Sequence, residues 1–187
     1  MSPGIRIRDN ENDYLSSLLT PSFVMEPSTY SSPCGLLYLG VRQGCICLCD
    51  WNPRPGPYDD DPCLLTRLRS QLDAYFRGDL RTFTLTLLPA GTPFQQRVWE
   101  AVRQVPYGRT ISYGQLAERM GYPTAVRAVA RAVGANPVAI LIPCHRIIGS
   151  RGQLTGYAGG LTAKRFLLSM EAMSNSRGTE SFAAHPR

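Results

Sequence analysis

The sequence predicts an α/β fold with a strand-rich first half and a helical second half, and three observations predict it. Two short apolar runs, residues 36–41 and 45–51, flank Arg42-Gln43-Gly44, the pattern of a β-hairpin. Leu64, Leu65, Leu68, Leu72 and Tyr75-Phe76 then recur at helical spacing. After Pro89-Ala90-Gly91-Thr92-Pro93 the texture changes to short amphipathic segments punctuated by glycine and proline, so the boundary between two domains is placed there.

Taken in order, residues 1–29 mix charges with prolines, show no sustained period and are treated as a leader. Ser31-Ser32-Pro33-Cys34-Gly35 is a turn signal that opens the hairpin. Residues 53–62 are a proline and aspartate loop, Gly78 stops the first helix, and residues 83–88 read as one more strand. Residues 94–105 place Phe94, Val98, Trp99 and Val102 on one helical face, ended by Pro106-Tyr107-Gly108. Ser112 is placed to cap a helix over residues 114–120. Gly121-Tyr122-Pro123 then turns the chain into a helix over 124–135, and the pair reads as a helix-turn-helix. On that second helix Val126, Val129 and Val133 form the apolar stripe, while Thr124, Arg127, Ala128, Arg131 and Ala135 share the opposite side. Small residues with two arginines make a slim cationic probe suited to a DNA groove, although a solvated face has the same composition. Residues 173–187 read as a polar tail.

Composition narrows the classes. The 187 residues, 43% apolar, suffice for one sizeable core or two small ones, and no stretch is long and apolar enough for a membrane span. The start of the chain has neither the basic nor the apolar region of a secretory signal, so an intracellular protein is expected. Net charge is +6, divided as −2 over residues 1–90 and +8 over residues 91–187. The second half carries a field suited to a polyanion, almost all of it from arginine. Three of the six cysteines, Cys45, Cys47 and Cys49, alternate and would share one face of a strand, where they neither bridge well nor converge on a metal. They are expected to be reduced core residues, with no metal site and no cofactor.

The stretch with most chemistry is residues 136–160. An apolar run, residues 138–142, is expected as a strand delivering Pro143-Cys144-His145-Arg146. Pro143 cannot donate to a ladder, so pairing should stop there and leave Cys144 at an edge or cleft. Positive charge from His145 and Arg146 would favour the thiolate, the attacking species. A lone cysteine after an apolar run is otherwise a small buried hydrophobe. On the helix over 161–172, Lys164 and Glu171 lie seven residues apart, nearly eclipsed and flanked by Leu161, Leu167 and Leu168. Charges on an apolar stripe need partners, so Glu171 is expected to be paired inside. Gly156, Gly159 and Gly160 around Tyr157 let the backbone approach something flat, or form a plain hairpin tip.

These residues, from Asn136 to Arg146, with Gly156-Tyr157-Ala158-Gly159-Gly160 and residues 164–171, closely resemble the O6-alkylguanine-DNA alkyltransferases. The resemblance is continuous over residues 92–171 and looser over 30–51. It implies an amino-terminal ribonuclease H-like α/β domain over residues 30–90 and a carboxy-terminal winged helix-turn-helix domain over residues 91–172. It implies that double-stranded DNA carrying O6-alkylguanine is the partner, with O4-methylthymine a second candidate, and that the alkyl group moves irreversibly to Cys144 after base flipping. His145 would act as base through a water, Glu171 would orient it, and Asn136 would join their network. Tyr113 would assist the departing purine and lie near the rotating phosphate. Lys164 completes the implied catalytic set. Arg127 would intercalate, with Tyr113, Thr124, Ala128 and Arg131 on the DNA. Ile147, Tyr157, Ala158, Gly159 and Gly160 would form the base pocket, Ala158 standing where the family often has serine. A monomer is expected, cytoplasmic in a bacterium and nuclear in a eukaryote, with cooperative DNA binding left open. The rivals are a non-catalytic lesion sensor on the same scaffold and a cysteine hydrolase using Cys144 and His145.

Overall fold

The computed structural model describes residues 25–180, with side chains as far as Ser174. Strands β1 (Ser28–Ser32), β2 (Gly35–Arg42) and β3 (Cys45–Asp50) form one antiparallel sheet in the order β1-β2-β3. The hairpin of β2 and β3 is as expected, but β1 begins inside the stretch assigned to the leader. Its alternating exposure, with Thr29 and Ser31 outward, shows why no apolar period marked it. Residues 1–24 of that leader lie outside the described residues.

Helix α1 (Pro62–Arg77) packs across the sheet. Asp61 caps it by accepting from Leu64 N, Pro62 occupies the first turn where no donor is needed, and Gly78 ends it at φ 83°, a left-handed conformation that costs glycine little. Leu64, Leu68, Leu72 and Tyr75 are buried, each aliphatic side chain contributing about 1.5–3 kcal/mol by leaving water.

Residues 83–88 are not a strand. They touch β3 at one parallel bridge, Ile46 to Leu87, with Ile46 N donating to Thr86 O at 2.9 Å and Leu88 N to Ile46 O at 2.8 Å. The same edge of β3 takes a second segment at Cys49, whose N donates to Pro137 O at 2.9 Å and whose O accepts from Ala139 N at 2.7 Å. Two segments share one six-residue edge, so neither extends into a ladder. Cys49 is fully buried in this seam, whereas Cys45 and Cys47 are half-exposed, which corrects the expectation that all three are core residues.

The second half comprises α2 (Pro93–Arg103), β4 (Ile111–Ser112), α3 (Tyr113–Arg119), α4 (Val126–Gly134), a 3-10 turn (Cys144–Arg146), β5 (Ile147–Ile148) and α5 (Gly160–Glu180). Thr92 and Ser112 each close a capping box, with Gln95 and Gln115. Helix α4 starts two residues later than expected, because Pro123 sits in a turn closed by Ala125 N donating to Tyr122 O at 2.9 Å. Val129, Ala132 and Val133 are buried and Val126 partly so. Trp99, 2% exposed, ties α2 to α4 by donating its Nε1–H to Ala132 O at 2.7 Å. Helix α5 runs past the expected tail boundary to Glu180, and Arg81 secures it by donating to Ser174 O at 2.9 Å. Residues 181–187 of that tail lie outside the described residues. One continuous apolar core joins both halves.

Candidate active site

The apolar run before Cys144 is not a strand either. Residues 138–142 are all buried, and the chain folds back on itself there, with Leu141 N donating to Ala139 O and Ile142 N to Val138 O, both at 2.9 Å. Ile140 is forced to φ 72°, a conformation that a β-branched residue avoids. A run buried on every side shows no alternation, so its sequence could not separate strand from loop. The turn is pinned by Asn136, 3% exposed. Its Oδ1 accepts from Val138 N at 3.0 Å while its Nδ2 donates to Ile142 O at 3.0 Å and to Cys144 Sγ at 3.2 Å.

Cys144 opens the 3-10 turn at 8% exposure. Burial pushes its thiol up to about 11, against the opposing pull of the Asn136 hydrogen bond and the Lys164 charge; Asp50, buried and paired with Arg54 at 2.7 Å, raises it further. The expected thiolate-favouring role of His145 and Arg146 is therefore corrected: at neutral pH the sulfur keeps its proton. Arg146 turns away from it to bind Glu171, and burial pushes the His145 imidazole below its ordinary value, Glu171 opposing that shift.

Glu171 is fully buried and accepts from four places in the chain. Arg146 reaches it with Nε at 3.0 Å and Nη2 at 2.9 Å, Gly108 N donates at 2.9 Å, Tyr75 Oη at 2.8 Å, and His145 Nε2 lies 2.8 Å from Oε1. Burial alone would raise this carboxyl, but the bonds and charge of His145 and Arg146 outweigh it and hold the group at about 2. With the imidazole itself pushed toward neutrality, Arg146 is the cation that does this. An ionised carboxylate can only accept, so His145 carries its proton on Nε2 and presents Nδ1, which is buried and without a hydrogen-bond partner among the described residues.

Lys164 is also fully buried, seven residues back on α5. Its Nζ donates to Ile147 O at 2.6 Å and Thr155 O at 3.1 Å and lies 6.0 Å from the ring centroids of both Tyr113 and Tyr157. Leu167 is buried beside it, whereas Leu161 is 44% exposed and so does not flank the charges inside. Tyr113 is half-buried, its hydroxyl accepting from Thr155 Oγ1 at 3.3 Å. Ile147 is buried under the turn. Tyr157 packs its ring 5.0 Å from that of Trp51 and 6.5 Å from that of His145. Gly159 is obligatory against Trp51, since a Cβ there would fall 2.6 Å from the indole. Ala158 and Gly160 are exposed on the same loop.

These side chains converge; the remaining candidates do not. Thr124, Arg127 and Arg131 are exposed and Ala128 half-exposed, on or beside α4. Sequence reading missed Tyr75, Trp51, Asp50 and the Arg146–Glu171 pair. Tyr75 was visible as a member of the apolar stripe of α1, but nothing in that stripe says where its hydroxyl points.

The fold and site define a class: proteins of mixed α/β architecture in which a buried cysteine is followed by an imidazole fixed on a buried carboxylate. The model for the DNA binding domain of 6-O-methylguanine DNA methyltransferase matches residues 93–173. The methylated-DNA--protein-cysteine methyltransferase of Mycolicibacterium paratuberculosis is 44% identical over 153 residues, covering 79% of this chain and 93% of that protein. Its Mycobacterium tuberculosis counterpart is 50% identical over 121 residues, 65% of this chain and 69% of that protein. The crystal structure of the Mycobacterium tuberculosis enzyme in complex with DNA superposes with a TM-score of 0.69 at 42% identity, covering 78% of this chain and 92% of that one. The chain belongs to the methylated-DNA--protein-cysteine methyltransferase family.

Proposed function

We propose that this chain repairs alkylated duplex DNA by direct reversal, taking the alkyl group from O6 of guanine onto Cys144. The observation that carries the reading is geometric: Asn136 Nδ2 donates to the buried Cys144 Sγ at 3.2 Å, and the next residue, His145, is anchored on Glu171 through Nε2 at 2.8 Å, leaving Nδ1 without a hydrogen-bond partner among the described residues. His145 removes the thiol proton through a water as the sulfur attacks. The S–C bond forms, the C–O6 bond breaks, and the electron pair stays on the purine, which Tyr113 assists with its hydroxyl. Lys164 adds a cation 6.0 Å from both the Tyr113 and Tyr157 rings, limiting the cost of negative charge on sulfur and on the departing base. Asn136 orients the sulfur. The product is a thioether, so each molecule acts once.

The base is reached by flipping, at a cost of a few kcal/mol. In this reading α3 and α4 form the helix-turn-helix, part of a winged domain over residues 91–172, and α4 enters the minor groove. Arg127 fills the gap left by the base, and Thr124, Ala128 and Arg131 line the contact. Ile147, Tyr157, Ala158, Gly159 and Gly160 receive the purine. The sheet and α1 belong to a ribonuclease H-like domain over residues 30–90. The protein acts as a monomer inside the cell, where its six cysteines stay reduced. Incubation with a duplex containing O6-methylguanine, followed by weighing of the Cys144 peptide, tests this: the peptide gains one methyl group per protein. An unchanged peptide with retained binding would make the protein a lesion sensor.

A further inference from the structure

We propose that Tyr75, carried on α1 outside the segment that bears the thiol, is a positioning residue for the transfer, its hydroxyl fixing through Glu171 which nitrogen of His145 holds the proton. The inference rests on the function proposed above. Tyr75 is fully buried, with its ring against Phe76 and Phe83 at 5.4 Å and Tyr107 at 6.1 Å. Packing alone would be served by phenylalanine. The hydroxyl instead completes a triangle, 2.8 Å from Glu171 Oε1 and 3.4 Å from His145 Nε2, while Oε1 and Nε2 are themselves 2.8 Å apart.

Burial, with the Glu171 charge adding to it, keeps the phenol protonated far above its ordinary range, so it serves as a donor. Were Nε2 a lone pair, the Tyr75 proton would have two acceptors to choose between and the imidazole would face the carboxylate without a bond. With the proton on Nε2, all three short contacts at Oε1, from Tyr75, His145 and Arg146 Nη2, are donations and Nδ1 is the basic nitrogen. Removing the hydroxyl leaves Oε1 more basic, which favours imidazolium over imidazole. The titratable groups facing the pair are Tyr75 from α1, Tyr107 after α2, Arg146 from the turn, Tyr157 from the loop before α5, and Lys164 from α5; Tyr75 is the neutral side chain of the set that bonds Glu171.

The test is Tyr75→Phe, which keeps the ring. With a duplex containing O6-methylguanine, the wild-type protein must first methylate Cys144; if it does not, the proposed function fails and not this inference. Given that, the variant is expected to bind unmodified duplex as the wild type does and to transfer on the order of tenfold more slowly, the scale of one hydrogen bond to a charged acceptor. The acid limb of its pH–rate profile should move to higher pH, because a more basic His145 stays protonated further up the scale. In a Glu171→Gln background the same substitution should have little further effect. An unchanged rate and profile, or a slower rate with an unmoved profile, would overturn the inference by reducing Tyr75 to a space filler. Should Tyr75→Phe not fold, 3-fluorotyrosine at position 75 makes the hydroxyl a stronger donor. The acid limb should then shift to lower pH, and an unmoved limb overturns the inference equally.

Discussion

The two buried charges of α5 are held in opposite ways. Glu171 is surrounded by donors, including a guanidinium, and its carboxyl is pulled down to about 2 despite its burial. Lys164, seven residues earlier and equally buried, has two backbone carbonyls and two aromatic rings but no carboxylate among the described residues, and burial pulls its ammonium below the ordinary value. One end of the helix is a closed electrostatic unit that fixes geometry. The other is a cation whose missing counter-charge is the one the thiol would supply on ionising, as the mutual pull between Lys164 and Cys144 indicates.

Breaking the closed unit should cost most. Glu171→Ala leaves Arg146, 6% exposed, without its anion and is expected to lower unfolding free energy by about 3–5 kcal/mol in a urea titration. The same contrast predicts acid sensitivity. A carboxyl whose folded value is depressed contributes stability that is fully present above its unfolded value near 4.5 and is lost as pH falls through about 2. The stability advantage of the wild type over Glu171→Gln should therefore shrink between about pH 5 and pH 2. His145 acts in the same direction, because its depressed folded value makes protonation favour unfolding below 6.5.

At the open end, Lys164→Met leaves the carbonyls of Ile147 and Thr155 unpaired and is expected to cost about 1–3 kcal/mol of stability. Its larger effect falls on chemistry: the Cys144 thiol should titrate above 11, seen as slower alkylation at every pH. Smallest in stability is Arg127→Ala. Arg127 and Arg131 are exposed and have no hydrogen bond or ion pair among the described residues, so unfolding should change by less than about 0.5 kcal/mol. Repair of duplex should nonetheless fall more than repair of single strand or free base; equal losses would remove the intercalating role.

How far the sequence could be read follows the same divide. Periodicity located α1, α2 and the hairpin, and the eclipsed spacing of Lys164 and Glu171 on an apolar stripe foretold a Glu171 paired inside, though not the burial of Lys164. What it left hidden are features that depend on distant chain segments. The run at 138–142 is buried on all sides, so neither a period of 2 nor one of 3.6 appears, and the left-handed Ile140 carries no compositional mark. Residues 83–88 have strand-like composition, yet the edge they meet is shared with Pro137–Ala139. Arg146 looked like an activator of its neighbour because adjacency in sequence says nothing of direction. Its guanidinium in fact serves Glu171, and the thiol it was expected to ionise stays protonated.

That protonated thiol is the centre of the account, and titrating it is the most direct measurement. The rate of Cys144 alkylation by iodoacetamide, followed by peptide mass across pH in the DNA-free protein, should keep rising beyond the range of ordinary thiols, with a midpoint at about 11. A midpoint at or below neutrality would mean that the sulfur is already ionised at rest and that His145 has no proton to remove.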